Sequence, residues 1–297
     1  MFKQLPTLGV GASLSLGADP DPISLSQQIA GPAFIEYAGL VNVDRLMAQL
    51  DPIQSASIPL LFHPSYINFC GSFANDDKWL ETTQQHIERV QSPWFAQDCA
   101  YCFWQGSHSY ASQLGYFIPP FLNAASLKLA ITRVREVQAI VKVPVAIEPP
   151  PVTFIVGDMA PLEFFSQLAN QTDCAMLLDM GHLVSYEMAS FRSILDDVKH
   201  FETQRVIEIH IAGGKIQQAE QGPIYIDAHE HDIQESVWHM FEKMLTVLPN
   251  VKAVCYECEG VQQDKVLTTL DKIRGLILAH SISPDLVRKV EQERGLS

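Results

Sequence analysis

The sequence predicts an α/β protein of the (β/α)8 (TIM) barrel class, one domain over residues 1–297, on three observations. Short apolar runs of strand length alternate with helical patterns along the chain. There are eight such runs, and most of those after the second carry or end in an ionisable residue. A doubly wound sheet is the alternative that the same alternation allows. No low-complexity linker or break in composition divides the chain.

The strand candidates are 8–14 (LGVGASL), 33–40 (AFIEYAGL), 58–63 (IPLLFH), 94–103 (WFAQDCAYCF), 143–148 (VPVAIE), 175–179 (AMLLD), 205–213 (RVIEIHIAG) and 252–257 (KAVCYE). Most are rich in β-branched or other apolar residues, and a helical pattern follows each after a loop. The helix candidates are 43–50, 76–91, 124–141, 160–171, 188–201, 236–248 and 266–280. Several begin after Asn, Asp or Ser, or carry Pro in the first turn, as helix starts do. Trp238, Phe241 and Met244 recur at helical spacing and read as a helix face packed on the barrel. The opening MFKQLPTLGVGASLSLGADP has one Lys and a weak apolar stretch, so it reads as the lead into the first strand rather than as a signal peptide.

Composition narrows the class of function. With 47% hydrophobic and 18% charged residues the chain is an ordinary globular protein, neither disordered nor fibrous. No apolar run reaches the roughly 18 residues a membrane span needs. A net charge of −14 repels phosphate backbones and suits cationic partners, metal ions included. Six cysteines without a dense small-domain pattern predict free thiols and a cytoplasmic setting.

In a (β/α)8 barrel the chemistry sits at the carboxyl ends of the strands. Those ends carry His63 on the third strand, Asp98 and Cys99 on the fourth, and Glu148 on the fifth. Asp179, followed by His182, ends the sixth, His210 lies on the seventh and Glu257 ends the eighth. One histidine at a strand end is more often a hydrogen-bonded structural residue than a ligand. Several carboxylates crowded at one rim would repel and drive some pKa values up, a conflict that a multivalent cation removes. The loop after the seventh strand adds Asp227 and His229, two apart and so on one face of an extended segment. His231 and Asp232 follow in what reads equally well as a solvated loop capping the next helix. Imidazole and carboxylate donors suit iron, manganese or zinc better than copper(I) or calcium. Their number exceeds the needs of one ion, which predicts two or three.

Other motifs lead nowhere. CAYC (99–102) and CYEC (255–258) lie on strand candidates, where residues three apart point to opposite faces, so a four-cysteine zinc site is disfavoured. The AGG at 212–214 lacks the partner loop that a phosphate cradle needs. There is no HExxH, no GxSxG and no P-loop.

The ordered set of His63 with Cys99 about 36 residues on, EPPPV, LLDMGH, EIHIAG, IDAH and YECE resembles the multinuclear non-heme iron-dependent oxidases of the MbnB/TglH type. The likeness runs from about residue 8 to 260. It implies a barrel holding two or three irons, Fe2+ and Fe3+, with dioxygen as co-substrate. A ferrous ion would activate dioxygen while a neighbouring ferric ion holds a substrate thiolate. It further implies a cysteine-containing precursor peptide as substrate and a small partner protein that recruits it; charge and hydropathy, not the resemblance, set the expectation of neither nucleic acid nor membrane as partner. Carried over residue by residue, the ligands would be His63, Glu148, Asp179, His182, His210, Asp227, His229 and Glu257, with Asp179, His210 and Asp227 closest to the chemistry.

Three positions depart from that pattern. Cys99 stands where a histidine is expected and could serve as a thiolate ligand, while Asp98, on the other face of a regular strand, is the weaker substitute. Pro149 replaces an Asn after Glu148, and Gly214 stands where a polar residue usually follows Ala-Gly. The peptide groove is expected from the loops after strands one to four. Two rival readings remain: a zinc or manganese enzyme of the sugar-isomerase or endonuclease type, and a degenerate binding subunit without catalysis.

Overall fold

A computed structural model describes residues 2–39, 42–103, 113–220 and 222–296. Eight parallel strands close into a barrel: β1 (Gly9–Ser13), β2 (Ile35–Tyr37), β3 (Leu60–Phe62), β4 (Phe95–Asp98), β5 (Val145–Glu148), β6 (Ala175–Asp179), β7 (Val206–Ile211) and β8 (Ala253–Glu257). Each strand pairs with its neighbours in the chain, and β8 closes on β1 with Gly9 opposite Ala253 and Ser13 opposite Glu257. All eight strand expectations correspond to staves, each trimmed at one or both ends except 175–179; the last residue of the second, Leu40, lies outside the described residues.

The helices that cover the barrel are α1 (Pro22–Ser26), α2 (Met47–Ser55), α3 (Asp77–Val90), α4 (Ala124–Ile140), α5 (Pro161–Thr172), α6 (Met180–Ser190), α7 (Glu235–Leu245), α8 (Gln263–His280) and α9 (Pro284–Glu293). Their starts follow capping chemistry: Asp76 accepts from the Lys78 amide and Asn123 from that of Ser126, while α5 and α9 begin on proline. Two apolar clusters result. The larger fills the space between staves and helices, and a smaller one, including Phe34, Leu61, Trp94, Leu177 and Cys255, plugs the barrel itself. Gly11 belongs to the plug, because a Cβ there would come within 2.4 Å of the Phe34 ring.

Several elements differ from the sequence reading. The run 94–103 is not one strand: β4 stops at Asp98, the Cys99 amide donates once more to the Glu148 carbonyl at 2.8 Å, and the chain turns. Residues Tyr101–Phe103 then pair antiparallel with Gln113–Ile118. The helix expected at 188–201 starts eight residues earlier, at Met180, and ends at Ser190 before a 3-10 segment at Ile194–His200. Its early start is dictated by Asp179, whose carboxylate accepts from the His182 amide at 2.7 Å and so caps the helix where the stave ends. The segment after β7 is a hairpin, Gly213–Ala219 against Gly222–Glu230, and not a phosphate loop. Helices α1 and α9 had no counterpart among the expected elements, and the helix expected at 43–50 is a 3-10 turn at Val43–Arg45 followed by α2, which runs to Ser55; Glu293 of α9 accepts from the Val10 amide and from Arg274.

Candidate metal centre

Alternate residues of a stave share a face, and closure of the barrel turns one face of each inward. The uppermost inward positions are Ser13, Glu36, His63, Asp98, Glu148, Asp179, His210 and Glu257, one from each stave. Pairing places several side by side in register: Glu36 beside Ser13, Asp98 beside Glu148, and Asp179 beside His210. Seven of the eight carry a carboxylate or imidazole at one mouth.

Their ligand atoms, with those of His182 in the first turn of α6, fall into four groups, within each of which the atoms lie no more than 4.8 Å apart: Glu36–His63–His210, His63–Asp98–Glu148, Glu148–Asp179–His182 and Asp179–His210–Glu257. Consecutive groups share His63, Glu148, Asp179 and, back to the first, His210, so the four form a closed ring. Across it, His63 Nε2 lies 3.4 Å from Glu148, and His210 lies 3.3 Å from Glu36 through Nε2 and 3.3 Å from Glu257 through Nδ1. His182 Nε2 stands 3.4 Å from Asp227. The hairpin after β7 brings Asp227 and His229 over the ring, with His229 Nε2 at 3.2 Å from Asp227 and 3.5 Å from Glu257. His229 holds a left-handed backbone with φ of 47°, a strain of about 1–3 kcal/mol that aims its imidazole at the mouth.

The structure thus brings together His63, Glu148, Asp179, His182, His210, Asp227, His229 and Glu257, and departs from the sequence reading at four positions. Cys99 is outside the ring: its thiol packs in the core, 3.5 Å from that of Cys70. Asp98 takes the inward place instead, because the phase of β4 is set by Trp94 and Ala96 in the barrel plug. Glu36 was missed, although its parity with Phe34, one turn of the strand period below, would have put it inside. Glu259 was also missed; it accepts from Ser13 and from His229 Nδ1, each at 2.8 Å, and holds that imidazole from behind. His231 pairs with Asp232 at the surface, apart from the ring.

Pro149, in place of the expected Asn, still contributes a polar atom. Its carbonyl accepts from His182 Nδ1 at 3.0 Å, which fixes the proton on that nitrogen and leaves Nε2 facing Asp179 and Asp227. Below the ring, buried Glu208 lies 3.7 Å from His210 Nε2 and accepts from the Trp94 indole at 2.6 Å.

The electrostatics of the bare chain are those of a centre with too many anions. Burial pushes the Glu148 carboxyl up to about 8, with Asp98 adding to it. Asp179 rises to about 6, again by burial, opposed by His182. Burial alone would lower the His63 imidazole, yet Glu36, Asp98 and Glu148 outweigh it and raise it to about 9. Glu257 lifts His229 to about 12 against its burial. The close cationic neighbours of the ring carboxylates are histidines, with no Lys or Arg among the ion pairs of the described residues there. Glu36 Oε2, His63 Nδ1, Asp98 Oδ1, Asp179 Oδ2, Asp227 Oδ1 and both His210 nitrogens are buried without a hydrogen-bond partner among the described residues. Such atoms cost about 1–3 kcal/mol each when unpaired, so this donor set fits multivalent cations. Nitrogen and oxygen donors around shared carboxylates suit iron, manganese or zinc.

A cleft of about 440 Å³ adjoins the ring at Asp227, walled by Ile118 and Pro119, by Pro151–Phe154 after β5, and by Tyr225 and Ile226 of the hairpin. The loops after β4, β5 and β7 therefore shape it; of the loops after strands one to four, the fourth lines it among the described residues. No helix among the described residues is long and apolar enough to cross a membrane.

The profile of the family described as "RiPP precursor modification enzyme MbnB/TglH/ChrH" matches residues 34–275. Similar sequences include a UPF0276 protein of Rhizobium meliloti (strain 1021), 29% identical over 133 residues, which are 44% of this chain and 43% of the relative. Another, from Vibrio parahaemolyticus serotype O3:K6 (strain RIMD 2210633), is 27% identical over 171 residues, 54% of this chain and 57% of the relative. The chain spans about half the length of the curated relatives it matches. Among solved structures, an IOLI protein with a binding zinc atom has a TM-score of 0.56 at 11% identity, covering 92% of this chain and 99% of that one. Endonuclease IV from Thermus thermophilus has a TM-score of 0.53 at 12% identity, covering 91% and 99%. At such identities the likeness concerns the barrel alone.

Proposed function

Because the chain belongs to the MbnB/TglH/ChrH family of RiPP precursor modification enzymes, we propose that it is an iron- and dioxygen-dependent oxidase that modifies cysteine residues of a ribosomally made precursor peptide. The observation that carries the reading is the closed ring of four ligand groups, each sharing a residue with the next. Two or three irons would be held at this mouth: by His63, Asp98 and Glu148 with Glu36 beside His63, by Asp179, His210 and Glu257, and by His182 with Asp227 and His229 of the hairpin above the ring. When bound, iron supplies dioxygen activation and a Lewis acid that lowers the pKa of a substrate thiol.

The chain's own residues do the rest. The Pro149 carbonyl and Glu259 keep His182 and His229 in the tautomers that present Nε2 to the mouth. Buried Glu208 steadies His210 from below. The apolar walls of the cleft, Ile118, Pro119, Val152 and Phe154 among them, exclude water from the side on which a peptide would approach Asp227. Asp179, His210 and Asp227 stand where these elements converge and are the residues we place nearest the chemistry. A small protein that recruits the peptide belongs to the same reading.

The same nitrogen and oxygen donors would also serve a zinc or manganese enzyme, and the fold is shared with an isomerase-like barrel and an endonuclease. Anaerobic purification after iron supplementation separates the readings. The expected result is at least two irons per chain, with dioxygen uptake and a peptide mass change when a short cysteine-bearing peptide encoded beside the gene is added. Zinc or manganese alone with dioxygen-independent turnover would overturn it, as would failure to bind any metal, which leaves the non-catalytic subunit.

A further inference from the structure

We propose that Tyr225 is a further residue of this centre: its hydroxyl donates a hydrogen bond to the anionic ligand atom, sulfur or oxygen, that the Asp179–His210–Glu257 group binds along with a metal. The inference rests on the metal-centred reading above.

Tyr225 lies on the second strand of the hairpin after β7, opposite Ile216 and two residues before Asp227, so the two side chains share a face. Its ring is buried, at 1% exposure, and sits between two glycines. A Cβ at Gly181 would come within 2.4 Å of the Tyr225 Oη, and one at Gly214 within 2.2 Å of Cζ and 2.4 Å of Oη. Gly181 lies between Asp179 and His182, and Gly214 follows His210 by four residues. The hydroxyl is therefore wedged between the two backbone segments that deliver three of the ring's side chains. Gly214 offers no side chain of its own at that place, and the phenol from the facing strand fills it.

The Oη has no hydrogen-bond partner among the described residues. A neutral phenol can donate as well as accept, and leaving it buried and unpaired costs about 1–3 kcal/mol. Packing alone would be served as well by phenylalanine, without that cost. The hydroxyl lies against Gly181, between Asp179 and His182, on the strand face that also carries Asp227, which sets it beside the centre. Tyr225 also lines the cleft beside Asp227, so a ligand that enters there and reaches the centre passes the phenol. The acceptor that the hydroxyl lacks is then the anionic atom of that ligand.

The test uses Tyr225→Phe in the iron-reconstituted full chain, with two probes read by absorbance titration: azide for an oxygen-type ligand and N-acetylcysteine amide for a thiolate. The expected result is an unchanged iron count, equal or higher thermal stability, and about tenfold weaker binding of at least one probe, the loss of one hydrogen bond. Loss with the thiol alone assigns the hydroxyl to the substrate sulfur, and loss with azide alone to the oxygen position. Gly214→Ala, which drives the ring away, should weaken the same probe. Affinities within twofold of the parent for both probes would overturn the proposal. So would a fall in iron count together with loss of a ferric-phenolate colour band, because the phenol would then itself be a ligand. Parent protein that takes up no iron would sink the underlying reading as well, whereas iron-loaded parent with an indifferent Tyr225→Phe sinks this inference alone.

Discussion

Replacing Asp179 by asparagine should make the metal-free protein more stable and the metal-loaded protein defective. Asp179 has two tasks that the substitution separates. Through Oδ1 it caps α6 by accepting from the His182 amide at 2.7 Å, and asparagine caps a helix equally well. Through Oδ2, buried and unpartnered among the described residues, it faces the ring, where an amide is a far poorer ligand for a hard cation. Burial raises its carboxyl from 3.8 to about 6, a balance that already includes the attraction of His182. Above pH 6 the ionised carboxylate thus destabilises the bare fold by about 3 kcal/mol, since each tenfold change in proton affinity is worth about 1.4 kcal/mol. Asp179→Asn removes that cost. For a chain of 297 residues the gain corresponds to roughly 5 °C in Tm. The assay is thermal unfolding of chelator-treated protein at pH 7.5, followed by elemental analysis after anaerobic iron reconstitution. Because Asp179 belongs to two of the four groups, at least one iron per chain should be lost. A metal-free variant destabilised by more than about 1 kcal/mol, or one that keeps the parent's iron, would refute the reasoning.

Glu36→Gln removes the only carboxylate of the Glu36–His63–His210 group and should lower iron content by about one ion, or weaken that ion at least about tenfold; elemental analysis with a competing chelator reads it, and parental content would remove Glu36 from the centre. Cys99→Ala should leave the iron count unchanged and cost about 1 kcal/mol of stability, since the thiol packs against Cys70 outside the ring; a lost ion would restore Cys99 as a ligand. The metal-free protein should lose stability as pH rises from 6.5 to about 9. His63 holds its proton in the folded chain up to about 9 against 6.5 unfolded, so its contribution is complete below 6.5 and gone above 9. Glu148, raised from 4.5 to about 8, acts with the same sign at lower pH. Bound cations displace these protons, so Tm of the reconstituted protein should vary less across the same range; a metal-free Tm that rises with pH would contradict the assignment.

Much of this is legible in the sequence. Eight short apolar runs alternating with helical patterns determined a parallel sheet covered by crossover helices, because such strands are apolar along their whole length; the count of eight favoured a barrel, and closure of β8 on β1 decided it over a doubly wound sheet. The placing of Asp179, His182, His210 and Glu257 at one mouth followed from their positions at stave ends, and the LLDMGH stretch joined stave, cap and ligand in six residues. The sequence could not determine the phase of β4. Phe95 and Ala96 are both buried, one among the helices and one in the plug, so alternation carries no contrast and the sequence reading prefers Cys99 to Asp98. Glu36 lies in a stave whose other residues are also buried, so its inward place follows only once Phe34 is seen to plug the barrel. Which face points inward is decided only when all eight staves close, since the register of each depends on both neighbours. The hairpin that carries Tyr225, Asp227 and His229 over the ring is likewise a tertiary fact, because its residues lie apart in sequence from the groups they meet and only folding sets that distance.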